Sequence, residues 1–490
     1  MDDRLSMREQ FQRRVAAVPP LGLGLSVDVY SPDLFDLMTR FQSQVSQPAY
    51  LEIFSATGTA LRAVRQSLPG MPLAYHGEGL WITQPDFSTS PCLDEALAGA
   101  ASQLNILTSP WLNHECATKQ MGGYSFGTYL PPLYTRESAE IVAANVDLVQ
   151  ERLDQHRRPN DEFGPLFLLE MPPLTYFMVG TISVPRYFRL VTERTPCGLV
   201  LDIGHLWTVY RYSAAKRPAS LEKFIDHFLD EFPMERVVEI HIAGLAMHEA
   251  DTSRQEAHPP WIDAHAAPIP SVSWRILDRV LSHPRLWNLR GVALEVDTKP
   301  AQLIVEEFGQ ALTRIGPTVA HLMKIQTPTR EAVCDPLEVP GRTHASDDGS
   351  DLEADYVRYA QIASGQHPPA GPQWQAVIED PSGLVRYTHV YLPYEILHWG
   401  GKIADMFPET CERLAEQGVS LHEFVPWWFH KSRPADRPYD FFLLKIDRLV
   451  EFVAERAPML LDHARGEAEK LRAAYQEACA GDRVLVEPCQ

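Results

Sequence analysis

The stretch "LDIGHL" at 201–206 sets Asp202 and His205 three residues apart, directly after an apolar run and beside a glycine. Such a pair is either a polar turn in which Asp202 caps the next helix, or two ligands aimed at one metal ion. Comparable donors punctuate the chain: His76 in "AYHGEGL", His114 in "LNHECA", Glu170 closing "PLFLLE", His241 in "EIHI", Asp263 and His265 in "WIDAHAAP", and Glu295 in "ALEVD". All are nitrogen or oxygen donors with no thiolate among them, a set that suits iron, zinc or manganese. They exceed what a single ion takes, so two or three ions sharing bridging carboxylates are expected.

The elements that must position these donors follow from the apolar pattern. Short apolar runs recur at 21–28, 50–54, 71–76, 104–109, 165–170, 198–202, 236–242 and 290–296, separated by stretches with helical spacing. Continuous apolar runs suit parallel strands buried on both faces. The intervening "SPDLFDLMTRFQSQV", with Ser31 as N-cap, and "SLEKFIDHFLDEF" suit amphipathic helices. Strand and helix alternating in this way predict an α/β chain, a (β/α)8 TIM barrel over residues 1–320. On that reading every donor lies at the end of its strand or in the loop just after it. That is the face where barrel active sites are built. Any one of these histidines, alone, fits a core or surface role better than ligation. Their joint placement at one end of successive strands does not fit chance.

Residues 321–350 read as an acidic, turn-rich linker, and 351–490 as a mainly helical domain. The formal charge of −20 has the wrong sign for a nucleic-acid partner held through phosphates. Basic residues in "RLDQHRRPN" (152–160) read as a solvated helix end. The 7 cysteines are scattered without a CxxC pair, as in reduced, cytoplasmic proteins. The charged N-terminal stretch has no apolar signal core, and no run reaches membrane-spanning length.

The ordered series His, His, Glu, Asp-x-x-His, His, Asp-x-His, Glu on such a barrel resembles two related groups. One is the endonuclease IV-type apurinic-site nucleases. The other is the multinuclear non-heme iron-dependent oxidative enzymes (MNIO), which modify ribosomally made peptides, often at cysteine, in natural-product pathways such as those for methanobactin and thiaglutamate. Local motifs favour the second: "HGEGL" (76–80) is similar to its His-Gly-x-Gly-Leu, "HIAG" (241–244) to its His-x-Ala-Gly, "DAHAAPIPSVSW" (263–274) to its Asp-x-His followed by Pro and Trp, and "EVD" (295–297) to its closing Glu-x-Asp. The resemblance spans roughly residues 20–300. It implies two or three iron ions, mixed ferrous and ferric, held by His76, His114, Glu170, Asp202, His205, His241, Asp263, His265 and Glu295, with dioxygen as oxidant and a precursor peptide as substrate. Two departures stand out: Met171 follows Glu170 where the family shows Asn, which bears on a third metal, and His114 sits in "NHE" where the family has Asp-His-Leu. Glu78 is an additional carboxylate beside His76.

Residues 351–490, with Tyr391, Phe407-Pro408 and an aromatic-rich helix, resemble the small helical partner proteins that present the precursor peptide to these oxidases. On that resemblance enzyme and recruiting module are fused. Two alternatives stay open. An endonuclease IV-like barrel would use zinc to activate water against a phosphodiester, although no basic groove is evident. A sugar-isomerase-like barrel would carry an active-site lysine at a strand end, and none is evident.

Overall fold

The computed structural model describes residues 5–44, 46–213, 220–247, 261–324, 352–368, 378, 380–432 and 440–483. The predicted linker lies almost wholly outside the described residues. Eight parallel strands close a barrel: β1 (Gly22–Val27), β2 (Leu51–Phe54), β3 (Leu73–His76), β4 (Trp111–Glu115), β5 (Leu166–Glu170), β6 (Gly198–Asp202), β7 (Val237–Ile242) and β8 (Gly291–Glu295). Each pairs with its sequence neighbours, and β8 returns to β1 with Gly24 opposite Ala293. Helices fill every crossover, so the (β/α)8 expectation holds.

Two local expectations are corrected. The run at 104–109 is not a strand: Leu93, Leu97, Ala100, Leu104 and Leu107 form the buried face of a helix, Leu93–Leu107, which ends at Thr108 with φ +57. Strand β4 follows at Trp111. An apolar run this short does not separate strand from buried helix. Secondly, Asp33, not Ser31, receives an amide at the start of helix Leu34–Gln44; its Oδ1 accepts from Asp36 N at 2.8 Å.

Alternation along the strands sorts side chains into the barrel and against the helices. The bottom of the interior is apolar: Leu21, Ala74, Leu166, Leu168, Val200, Val238 and Ala293 meet Tyr50 and Trp111. Helix Met7–Ala17 seals this end with Phe11 and Val15. Gly24 is required here, because a Cβ would come within 2.4 Å of the Tyr50 ring. Strand β7 carries an extra residue at Val238, so that Leu199 pairs with Val237 but Val200 with Glu239. That bulge sets His241 directly beside Asp202.

Residues 352–483 are mainly helical where described, and they pack on the opposite end of the barrel. Their seats are a hairpin after β4 (Thr118–Met121 with Tyr124–Leu130) and the segment after β5. Trp428 donates its indole N–H to the Ser125 carbonyl at 2.7 Å, Phe429 meets Phe126 at 5.1 Å, and Tyr387 meets Phe177 at 5.2 Å. The Tyr356 hydroxyl bridges Leu133 N and Ser138 Oγ. This interface is aromatic and buried, continuous with the core around the barrel. Among the described residues no helix is long and apolar enough to cross a membrane. Replacing Trp428 with Ala removes a buried ring and an indole donor. Destabilisation of about 3–5 kcal/mol is expected, seen as a lower thermal midpoint and as early proteolytic cleavage in the hairpin.

Candidate metal centre

The polar upper half of the barrel is assembled from strand ends. Glu170 closes β5 at its centre. The His76 Nε2 lies 3.3 Å from Glu170 Oε2, and Asn113 of β4 donates to the same oxygen at 2.7 Å. The His241 Nδ1 lies 3.4 Å from Glu170 Oε1 and 3.2 Å from Glu295 Oε1. The His205 Nε2 is 3.3 Å from Asp263 Oδ2, and the His265 Nε2 is 3.0 Å from that same oxygen.

Asp202 does both things its spacing allowed. Its Oδ1 caps helix Ile203–Tyr212 by accepting from His205 N at 2.6 Å. Its Oδ2 is buried with no partner. Gly204 lets the helix start come this close, since a Cβ there would stand 3.1 Å from Asp202 Oδ1 and 3.3 Å from Asp263 Oδ1.

The structure brings eight of the nine predicted donors together and leaves His114 out. Residues 113 and 115 of β4 face the barrel interior, so the intervening His114 faces outward. Its Nε2 accepts from Leu80 N at 3.0 Å, and its Nδ1 lies 2.9 Å from the Glu115 carbonyl. It lines a separate cavity of about 620 Å³ with Trp81, Phe87 and Tyr356. Burial pushes its pKa down to about 4, which keeps the ring neutral. Glu115 takes the inward place instead, in a group with Glu170 and His205 whose ligand atoms all lie within 4.8 Å of one another. A second such group is Glu170, His241 and Glu295, and a third, deeper in the barrel, is Glu52, Glu239 and His241. Sequence reading passed over Glu115 because the fourth strand was placed too early. The two-residue period from Trp111 would have found it.

Three further polar residues belong to the site, two of them, Glu52 and Glu239, missed in the sequence and the third, Asp297, read only as the end of the closing Glu-x-Asp. Asp297 stands 3.1 Å behind His265 Nδ1. Glu52, on β2, and Glu239, on β7, are fully buried beneath His241. A glutamate inside an apolar strand run, as in "YLEIF" and "VVEIHI", was the available signal.

Electrostatics at this end are severe. Although burial opposes its charge, His76 is pushed up to about 9 by its contact with Glu170 and the nearby Glu52. His205, His241 and His265 are likewise held above the usual imidazole range, against burial, by Asp202, Glu170 and Asp263 respectively. Burial, reinforced by Glu170, pushes Glu115 up to about 8. Several buried atoms lack any hydrogen-bond partner: Glu115 Oε2, Glu170 Oε1, Asp202 Oδ2, both ring nitrogens of His241, Asp263 Oδ1 and Glu295 Oε2, with Glu52 Oε2 and Glu239 Oε2 beneath. Orphaned carboxylate and imidazole atoms converging in a dry pocket fit metal ions, because an ion satisfies several of them at once. The two upper groups share Glu170, which suits a bridging carboxylate, and His241 is common to the upper and the deeper group.

Met171 participates through its backbone. Its carbonyl lies 2.6 Å from His205 Nδ1, which leaves Nε2 facing the carboxylates. The side chain is buried in the surrounding core.

Comparison with known proteins follows the same boundaries. Residues 21–313 match the family model described as RiPP precursor modification enzyme MbnB/TglH/ChrH. A UPF0276 protein of Paraburkholderia phytofirmans is 28% identical over 263 residues, covering 53% of this chain and 76% of the relative. Another, of Psychromonas ingrahamii, is 23% identical over 294 residues, covering 60% and 93%. Among solved structures, endonuclease IV from Thermus thermophilus aligns with 60% of this chain and 98% of its own, at 17% identity and a TM-score of 0.36. The family match ends before the helical region begins.

The geometry separates two neighbours on β4. Replacing His114 with Ala is expected to leave metal uptake unchanged, whereas Glu115→Gln is expected to weaken it more than about tenfold. Metal content after dialysis against a buffered chelator measures both.

Proposed function

The chain belongs to the family of RiPP precursor modification enzymes MbnB/TglH/ChrH, and from that membership we propose that it oxidatively modifies a ribosomally made precursor peptide with iron and dioxygen. The observation that carries the proposal is the pair of donor groups sharing Glu170. One ion would be held by Glu115, Glu170 and His205, a second by Glu170, His241 and Glu295, with His76, Asp202, Asp263 and His265 completing them. Imidazole and carboxylate ligands tolerate both ferrous and ferric iron. When bound, the ions supply the redox chemistry that no side chain here can provide.

The protein's own residues provide the remaining conditions. The helical region walls the mouth: Tyr391 packs 5.6 Å from Tyr176, and Trp399 lies over the Lys119 ammonium at 4.3 Å. Lys119 is in turn paired with Glu78, whose carboxylate also accepts from Tyr129 at 3.0 Å. On this reading these aromatic side chains flank the side from which a peptide would approach the donors. His265, paired with Asp297 through Nδ1, is the site histidine nearest solvent and is placed to pass a proton outward. The formal charge of −20 favours a peptide over a nucleic acid as partner. Residues 351–490 serve, on this reading, as a fused peptide-presenting module seated on the catalytic mouth.

Metal analysis of protein purified without oxygen, paired with Mössbauer spectroscopy, tests the proposal. Two or three irons per chain with a coupled ferrous–ferric signal are expected. Stoichiometric zinc, no iron and phosphodiester cleavage would overturn it in favour of the hydrolase. A linked prediction concerns protons. Metal ligation requires neutral imidazoles, and the neighbouring carboxylates raise the pKa of the site histidines above the usual imidazole range. Metal binding at pH 7 is therefore expected to release protons, seen in calorimetry as an apparent enthalpy that changes with the ionisation enthalpy of the buffer.

A further inference from the structure

Three of the four histidines in the pocket obey one rule. Behind each Nδ1 stands an acceptor: the Gly77 carbonyl at 3.1 Å for His76, the Met171 carbonyl at 2.6 Å for His205, and Asp297 at 3.1 Å for His265. Each ring therefore turns its Nε2 towards the carboxylates. His241 is inverted. Its Nδ1 faces Glu170 and Glu295, while its Nε2 lies down the barrel 3.0 Å from Glu52 Oε2, an ionic contact in which neither atom makes a hydrogen bond. Glu239 Oε2 is the next acceptor, at 3.6 Å.

We propose that Glu52 is a positioning residue: its carboxylate, in contact with Nε2 from below, holds the His241 ring so that this histidine alone among the four binds metal through Nδ1. The proposal rests on the metal-centre reading above. Glu52 is fully buried and touches neither solvent nor the entrance. Its other oxygen accepts from the Trp111 indole at 3.2 Å. Its neighbour Glu239 accepts from the Tyr50 hydroxyl at 2.5 Å. Tyr50 and Trp111 meet edge to face at 6.1 Å on the sealed apolar floor. The carboxylate is thus fixed by the rigid bottom of the barrel, and His241 is fixed by the carboxylate. A carboxylate behind a metal-binding imidazole sets its tautomer and orientation, and losing it typically weakens metal affinity about 10–100-fold.

The test uses the full chain, zinc(II) as a diamagnetic probe, and selectively 15N-labelled histidine. In the zinc-loaded protein, the His241 signal, identified by its loss in His241→Asn, is expected to report a metallated Nδ1 and a protonated Nε2. The other site histidines are expected to report the reverse. Glu52→Gln, which keeps the shape but not the charge, is expected to weaken zinc binding about 10–100-fold in chelator competition and to shift the His241 signal. A metallated Nε2 in the parent protein overturns the proposal, as does a Glu52→Gln variant with parental affinity and an unmoved signal. Loss of one zinc equivalent in that variant, with His241 metallated on both nitrogens in the parent, overturns it in favour of a deeper metal site. If the variant fails to fold, the parent spectrum alone decides. A parent chain that takes up neither zinc nor iron removes the metal centre itself, a different failure from the one that spares the metal and dismisses Glu52.

Discussion

Like charges converging in a dry barrel end are the constraint on which the rest depends. At an effective dielectric near 20, two carboxylates 4 Å apart repel by about 4 kcal/mol. This pocket gathers Glu115, Glu170, Asp202, Asp263 and Glu295, with Glu52 and Glu239 beneath. In the bare protein the repulsion is met by protons. Histidines are held above their ordinary range, and Glu115 and Glu239, raised first of all by burial, are each pushed up to about 8. Protons satisfy such a cluster only in part, and the orphaned atoms mark the shortfall. Cations of higher charge satisfy more of it.

Such a pocket needs rigid support, because repelling groups separate unless the backbone holds them. Closed barrel strands supply that support from the side, and the Tyr50–Trp111 floor supplies it from below. The bulge on β7 matters out of proportion to its size, since it brings His241 level with Asp202. A one-residue change in register moves side chains to the other face of a strand. The same period explains why Glu115 enters the pocket and His114 does not.

The helical region completes the site at its open end. Its contacts with the hairpin after β4 and the segment after β5 are aromatic and buried, which marks a permanent seat and not a passing encounter. Both parts of the chain meet here, Tyr391 and Trp399 from one and Tyr129, Thr128 and Lys119 from the other.

Much of this was legible in the sequence. Apolar runs alternating with amphipathic helices determined the barrel, because burial on both faces leaves a parallel strand little other pattern. Donors at the strand ends marked the catalytic face, and the motifs around His76, His241, Asp263 and Glu295 pointed to the family. The choice between His114 and Glu115 was not legible, since it turns on strand phase, and the apolar run before β4 continues a helix. Nor were Glu52 and Asp297 readable as partners of His241 and His265, for each lies far along the chain from the ring it holds or in a different loop. The sequence by itself determined which donors are available and at which end of the barrel they stand. Only the tertiary structure decided which nitrogen each histidine offers, because that is set by the acceptor behind the ring, and closure of the barrel is what places it there.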